Sequence, residues 1–146
     1  MSDRITLGSF EVVSLPKLGL DDVIAKIDTG AYSGAVHCTD IVLKNNEDTG
    51  VEELCFVPAG QKELACQTTN FTKRHVRSSN GQLAERYIIS TEIIINGKTY
   101  QTDIGLSDRS DMKKQVLIGR RFLRQHDMLV DVTMNVQYDD RGEISV

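Results

Sequence analysis

Two runs rich in β-branched residues, 87–95 and 98–106, meet at Asn96-Gly97. Asn-Gly between alternating apolar runs is the preferred two-residue hairpin turn, because both central residues must take positive φ. That hairpin commits the middle of the chain to antiparallel sheet, and most of the remaining sequence keeps the same two-residue period. Residues 5–15 alternate, with a bend or bulge expected at Gly8, and Pro16 and Gly19 close the run. Residues 23–27 form a short apolar strand, and residues 35–43 another that ends in the polar run 44–50. Residues 53–57 and 63–67 are expected to pair across Pro58-Ala59-Gly60, and residues 71–77 and 83–95 to flank a further turn. Residues 128–132 and 135–138 read as strands, with 139–142 a turn before a last one. Only residues 119–125 read as a helix. Many short strands with one short helix predict an all-β, barrel-like domain spanning residues 1–146.

A chain of 146 residues, 40% of them hydrophobic, buries a core without disulfide or metal staples. The formal charge of −4 argues against nucleic acid as a partner. One basic cluster, Lys73, Arg74 and Arg77, reads as a solvated strand face. Met1-Ser2-Asp3-Arg4 leads directly into the first strand without a secretory pattern, and no window has the length of a membrane span. Cys38, Cys55 and Cys66 are odd in number and widely spaced, which suits reduced thiols in a cytoplasmic protein. Gly97-Lys98-Thr99 resembles the end of a phosphate loop, but Glu92 stands where that loop needs glycine.

The chemistry concentrates at Ile27-Asp28-Thr29-Gly30-Ala31. An apolar strand delivers Asp28 to a tight turn, Thr29 offers a hydroxyl, and Gly30 lets backbone approach closely. Two such carboxylates about 3 Å apart share one proton, since both cannot ionise. One carboxylate then acts as base on a water while the protonated one polarises a carbonyl. A chain with one such aspartate needs a two-fold homodimer to make the pair. Asp48-Thr49-Gly50 repeats the triplet without an apolar lead-in, inside a polar run, and reads as a solvated turn. Metal chemistry has no comparable signal: His37, Cys38, Cys55, Cys66, His75 and His126 form neither a His-Glu-x-x-His nor a Cys-x-x-Cys pattern. His37 and Cys38 are adjacent on a strand and point to opposite faces, which reads as a buried cysteine beside a surface histidine.

Val116-Leu117-Ile118-Gly119-Arg120 is an apolar strand ending in glycine ahead of the helix. Retroviral-type aspartic proteases pair their Asp-Thr-Gly-Ala loop with such an apolar-Gly-Arg segment. A closer resemblance adds His37, residues 74–81, Glu85-Arg86-Tyr87 and residues 108–112. Together these motifs resemble the bacterial retropepsin-like family associated with RimK-type ligases, which carries the inherited label "ATP-dependent zinc protease". The resemblance runs from about Gly8 to Val132. It implies a retropepsin-like closed β-barrel and an aspartic-type peptidase; no metal or cofactor is expected, because the chain has neither a zinc-ligand pattern nor an ATP-binding motif. It also implies a peptide or protein tail as substrate, with a second copy of the chain and a RimK-type ligase as partners. Asp28, Thr29 and Gly30 would be the catalytic loop, and Gly119 and Arg120 its structural support. Ala31 and Tyr32 would border the substrate, and Ser78, Ser79, Asn80 and Gly81 would be the tip of a mobile flap. A catalytically silent peptide-binding module of the same fold remains the alternative. The family usually has Arg at the position of Tyr32, and retroviral proteases have an acidic residue there that pairs with the arginine of the Gly-Arg segment. Arg120 therefore needs another partner.

Overall fold

A computed structural model describes residues 4–77, 81–108 and 114–139. Among them are β1 (Ile5–Leu7), β2 (Phe10–Leu15), β3 (Leu20–Asp28), β4 (Gly34–Asn45), β5 (Glu52–Pro58) and β6 (Cys66–Thr68). Next come β7 (Thr72–Arg77), β8 (Leu83–Ile95), β9 (Lys98–Ser107), β10 (Val116–Gly119), α1 (Arg120–Gln125) and β11 (Met128–Val130). Six strands close a barrel in the order β10, β3, β2, β8, β9, β4 and back to β10. This is the all-β, retropepsin-like closed barrel with one short helix that the sequence predicts.

Closure depends on β10. It runs parallel to β3, with Ile118 opposite Ile27 and Gly119 opposite Asp28, and antiparallel to the start of β4. All four of its residues are buried, as expected for a strand with neighbours on both edges and packing on both faces. The barrel interior is filled by Val13, Leu15, Leu20, Val36, Ile93, Ile95 and Val116. Each such side chain contributes about 1.5–3 kcal/mol on burial, which makes the barrel the main source of stability. Beyond the barrel, β4 continues into an antiparallel extension with β5 and β6, and β7 pairs with the first half of β8.

Asn96 and Gly97 turn with φ of 52° and 76°, the geometry the β8–β9 hairpin requires. Gly8 interrupts residues 5–15 as expected, splitting them into β1 and β2. Three expectations fail. Residues 63 and 64 belong to a 3-10 turn, Lys62–Leu64, so only Cys66–Thr68 pairs with β5. Residues 135–138 are not a strand: Asn135 takes φ 62° and a 3-10 turn, Val136–Tyr138, follows. The cause is a distant partner. Asn135 Nδ2 donates to Phe10 O at 2.7 Å and to Glu11 Oε2 at 2.8 Å, and Glu11 Oε2 also accepts from the Gly8 amide at 2.7 Å. His37 is 6% exposed, not a surface residue, because the turn at Ala59-Gly60 covers that face of β4 and the Ala59 amide donates to His37 O. The turn and final strand expected beyond Asp139 lie outside the described residues.

Glu11 is 6% exposed, and its buried Oε2 is satisfied by two donors, the Gly8 amide and Asn135 Nδ2. Glu11→Ala should destabilise the chain by about 1–3 kcal/mol by stranding the Gly8 and Asn135 donors. Urea unfolding followed by circular dichroism reads this as a lower midpoint at unchanged slope.

Candidate active site

Asp28 closes β3, and the next four residues form a loop tied down from both sides. The Gly30 amide donates to Asp28 Oδ1 at 3.0 Å, and the Ala31 amide donates to Asp28 O at 3.2 Å. A Cβ on Gly30 would stand 3.2 Å from Asp28 Oδ1, a tight contact that would press on the carboxylate by a few tenths of an ångström. Asp28 is half-buried while Thr29 and Gly30 are exposed, which leaves the carboxylate at the protein surface with Ile27 buried behind it.

Support comes from β10 and α1. Gly119 lies so close to the loop that a Cβ would stand 2.6 Å from Tyr32 O and 2.8 Å from Ser33 C. Beyond it, the Arg120 amide donates to Ala31 O at 2.8 Å and the Arg121 amide to Tyr32 O at 3.0 Å. These are first-turn amides of α1 that have no partner inside the helix. The Arg120 guanidinium donates through Nη1 to Gly30 O at 3.1 Å and to Thr29 O at 3.4 Å. It also stands over the Tyr32 ring, Cζ 5.5 Å from the centroid. Arg120 thus meets the missing carboxylate with two carbonyls and an aromatic face.

Beside the loop lies a cavity of about 490 Å³. Its walls include Ala31, Tyr32, Ser33 and Gly34, the apolar residues Ile88, Ile104 and Leu117, and three arginines, Arg74, Arg86 and Arg121. Arg74 and Arg86 stand directly opposite each other on β7 and β8. Like charges in that position are destabilising, and neither has an ion-pair partner among the described residues. Gly105 makes room for Arg86, since a Cβ there would approach Arg86 Cδ to 3.2 Å. Arg121 Nη2 is 3.6 Å from Asp103 Oδ2. The cavity is therefore positive within a chain of net charge −4.

Arg74 thus belongs to a pocket, not to a merely solvated face, whereas Lys73 pairs with Glu52 at 3.0 Å. Arg86 and Arg121 are site residues that alternation alone could not single out, because their convergence depends on strand pairing between distant segments. Asp48 lies in an exposed turn between β4 and β5, where Asn46 Oδ1 accepts from the Asp48 and Thr49 amides. Of the residues expected at the flap tip, Ser78, Ser79 and Asn80 lie outside the described residues. Gly81 takes φ 85°, and a Cβ built there would meet no atom within 4 Å. Strands β7 and β8 line the cavity through Arg74, His75, Arg86 and Ile88. Thiol chemistry is disfavoured: burial, reinforced by Cys66, pushes the Cys38 thiol up to about 12, and burial also raises Cys66. Among the described residues there is no group of three or more His, Cys, Asp or Glu side chains that could hold a metal, and no helix long and apolar enough to cross a membrane.

Comparison with known proteins identifies the family and the fold. A profile described as retropepsin-like aspartic endopeptidase RimB matches residues 6–140. A "probable alpha-L-glutamate ligase" of Shewanella pealeana is 29% identical across 100% of this chain, and one of Shewanella halifaxensis is 28% identical across the same span. A third, from Desulfotalea psychrophila, is 26% identical across 95% of the chain. The chain spans about a third of the length of these relatives, 32%, 32% and 30% respectively. A solved Legionella pneumophila protein of unknown function has the same fold, with a TM-score of 0.67 at 22% identity, covering 90% of this chain and 96% of that one.

Gly119→Ala should cost about 1–3 kcal/mol, because the new methyl meets loop backbone and not a side chain that can turn away. Thermal unfolding measures the loss, and Gly97→Ala, with no atom within 4 Å of the new methyl, provides a turn-strain control far from the loop. A Gly119 variant as stable as wild type would remove the steric basis of the loop. With the loop, the barrel and the profile in agreement, the chain belongs to the RimB-like family of retropepsin-like aspartic endopeptidases.

Proposed function

We propose that the chain is an aspartic endopeptidase that cuts acidic, glutamate-bearing peptide segments, with a dyad formed by Asp28 from each of two copies. The observation that carries this reading is the juxtaposition of the fixed Asp28 loop with a cavity walled by Arg74, Arg86 and Arg121. Guanidinium groups recognise carboxylates through paired, charge-assisted hydrogen bonds. A peptide carrying several carboxylates would relieve the repulsion between Arg74 and Arg86. The relatives named as glutamate ligases contain a segment like this chain within a longer polypeptide, which supports a working partnership with a RimK-type ligase.

In the dyad, one Asp28 carboxylate accepts a proton from water, and the resulting hydroxide attacks the scissile carbonyl carbon. The protonated Asp28 of the other copy gives its proton to the carbonyl oxygen, forming a neutral gem-diol. Collapse of the diol breaks the C–N bond. The nitrogen takes the proton that the first carboxylate received, and the second carboxylate recovers its own from the diol. The exposure of Thr29 and Gly30 supports such a meeting, since the loop is open to a second copy.

A peptide ending in several glutamates should be cleaved, and the same peptide with lysines should not. Asp28→Asn should lower turnover by about 10²- to 10⁴-fold and leave the fold intact, while Asp48→Asn changes little. Cleavage should persist in EDTA and yield to a hydroxyl-bearing transition-state mimic. Binding without cleavage by a verified dimer would instead identify a silent binding module. Arg86→Gln should raise KM for the glutamate peptide about ten- to a hundredfold and flatten its preference over a neutral peptide. An unchanged preference would remove the arginines from recognition.

A further inference from the structure

We propose that Arg120 is the positioning residue for Asp28, acting through the peptide units of the loop, and that Tyr32 holds its guanidinium in place of an acidic partner. Four successive carbonyls, from Thr29 to Tyr32, are engaged by Arg120 and Arg121. The side chain takes Thr29 O and Gly30 O, and the two backbone amides take Ala31 O and Tyr32 O. Thr29 O and the Gly30 N–H belong to one peptide plane, so they point in opposite directions. A guanidinium on the oxygen side therefore aims the N–H at Asp28 Oδ1, which accepts it at 3.0 Å. The next plane repeats the arrangement: Gly30 O accepts from Arg120 at 3.1 Å, and the Ala31 N–H donates to Asp28 O at 3.2 Å. Both planes are polarised in the same sense, which strengthens each N–H as a donor. One positive charge thus orients side chain and backbone of Asp28 without touching either.

Tyr32 completes the device. Tyr32 is 49% exposed, yet its ring carries the cation 5.5 Å from its centroid and shares a wall of the arginine-lined cavity. A carboxylate at this position would draw the guanidinium into an ion pair and away from the Thr29 and Gly30 carbonyls. An aromatic face attracts the cation while leaving its N–H groups free for those oxygens. The aromatic residue therefore suits a loop whose carbonyls are the true partners.

The experiment uses the full chain labelled with ¹⁵N. Arg120→Met keeps the aliphatic stem and removes the donors. The Gly30 amide proton should move upfield and exchange with solvent at least about tenfold faster, as expected for a weakened hydrogen bond. Tyr32→Leu should move the same resonance part of the way, and Tyr32→Phe should leave it in place. Arg120→Lys should restore part of the Arg120→Met change. On glutamate-bearing peptide, Arg120→Met should lower kcat about ten- to a hundredfold with KM within about twofold, the pattern of a misplaced reacting group and not of lost binding. The kinetic half rests on the aspartic-peptidase reading. The amide resonance does not, so an inactive wild-type chain would overturn that reading and leave the positioning to be decided by Gly30. If Arg120→Met does not fold, Tyr32→Leu and Arg120→Lys decide on the same resonance. An unmoved Gly30 amide in the folded variants overturns the proposal, as does a kcat unchanged in Arg120→Met when wild type is active.

Discussion

The barrel is closed by four residues. Val116–Gly119 is the strand that joins β3 to β4, and without it the sheet would end in two open edges. Its register also decides where the chemistry stands, because placing Ile118 beside Ile27 puts Gly119 beside Asp28. The chain can then turn into α1 only by passing against the Tyr32 and Ser33 backbone, at a distance that admits no side chain. Barrel closure and loop anchoring are one packing event.

Electrostatics divides the molecule in a similar way. A chain of net charge −4 repels acidic ligands on average, yet three guanidiniums are gathered beside the Asp28 loop. Among the described residues only Arg121 of the three makes an ion pair, with Asp103. Arg74 and Arg86 sit in direct cross-strand opposition, an arrangement that costs stability. Such a cost is ordinarily kept where a ligand of opposite charge relieves it, and local potential, not net charge, governs that encounter. Arg120 belongs to a different class. Its charge is spent on the loop's carbonyls and the Tyr32 ring, which sets it apart from the three arginines that line the cavity.

What the sequence discloses depends on how far away each residue's partner lies. Asn96-Gly97 is legible because its conformation is decided within two residues. Val116 to Gly119 is legible because strands buried on both sides read as continuous apolar runs. Asn135 is not legible, since its backbone is set by Glu11 and Phe10, 124 and 125 positions earlier. His37 looks like a surface residue until the Ala59-Gly60 turn folds over it. The partner of Arg120 escapes for another reason. A search for an oppositely charged side chain finds none at Tyr32, while backbone carbonyls are offered by every residue and leave no mark in composition. Arg86 and Arg121 are similar cases, joined only by the pairing of strands far apart in the chain.

The anchoring of residues 29–32 bears on how a two-copy site could assemble. The hydrogen bonds described for that loop run through Asp28, Arg120 and Arg121. In the proposed dyad, a loop held in this way would enter the pairing already shaped, and association would not have to supply the free energy of ordering it. What remains is the approach of two carboxylates, which like charge opposes until one proton is shared between them. A loop already fixed in each half lets the contact surface oppose that single term. In the proposed dyad, the strength of pairing and the pH at which it forms would then be linked quantities.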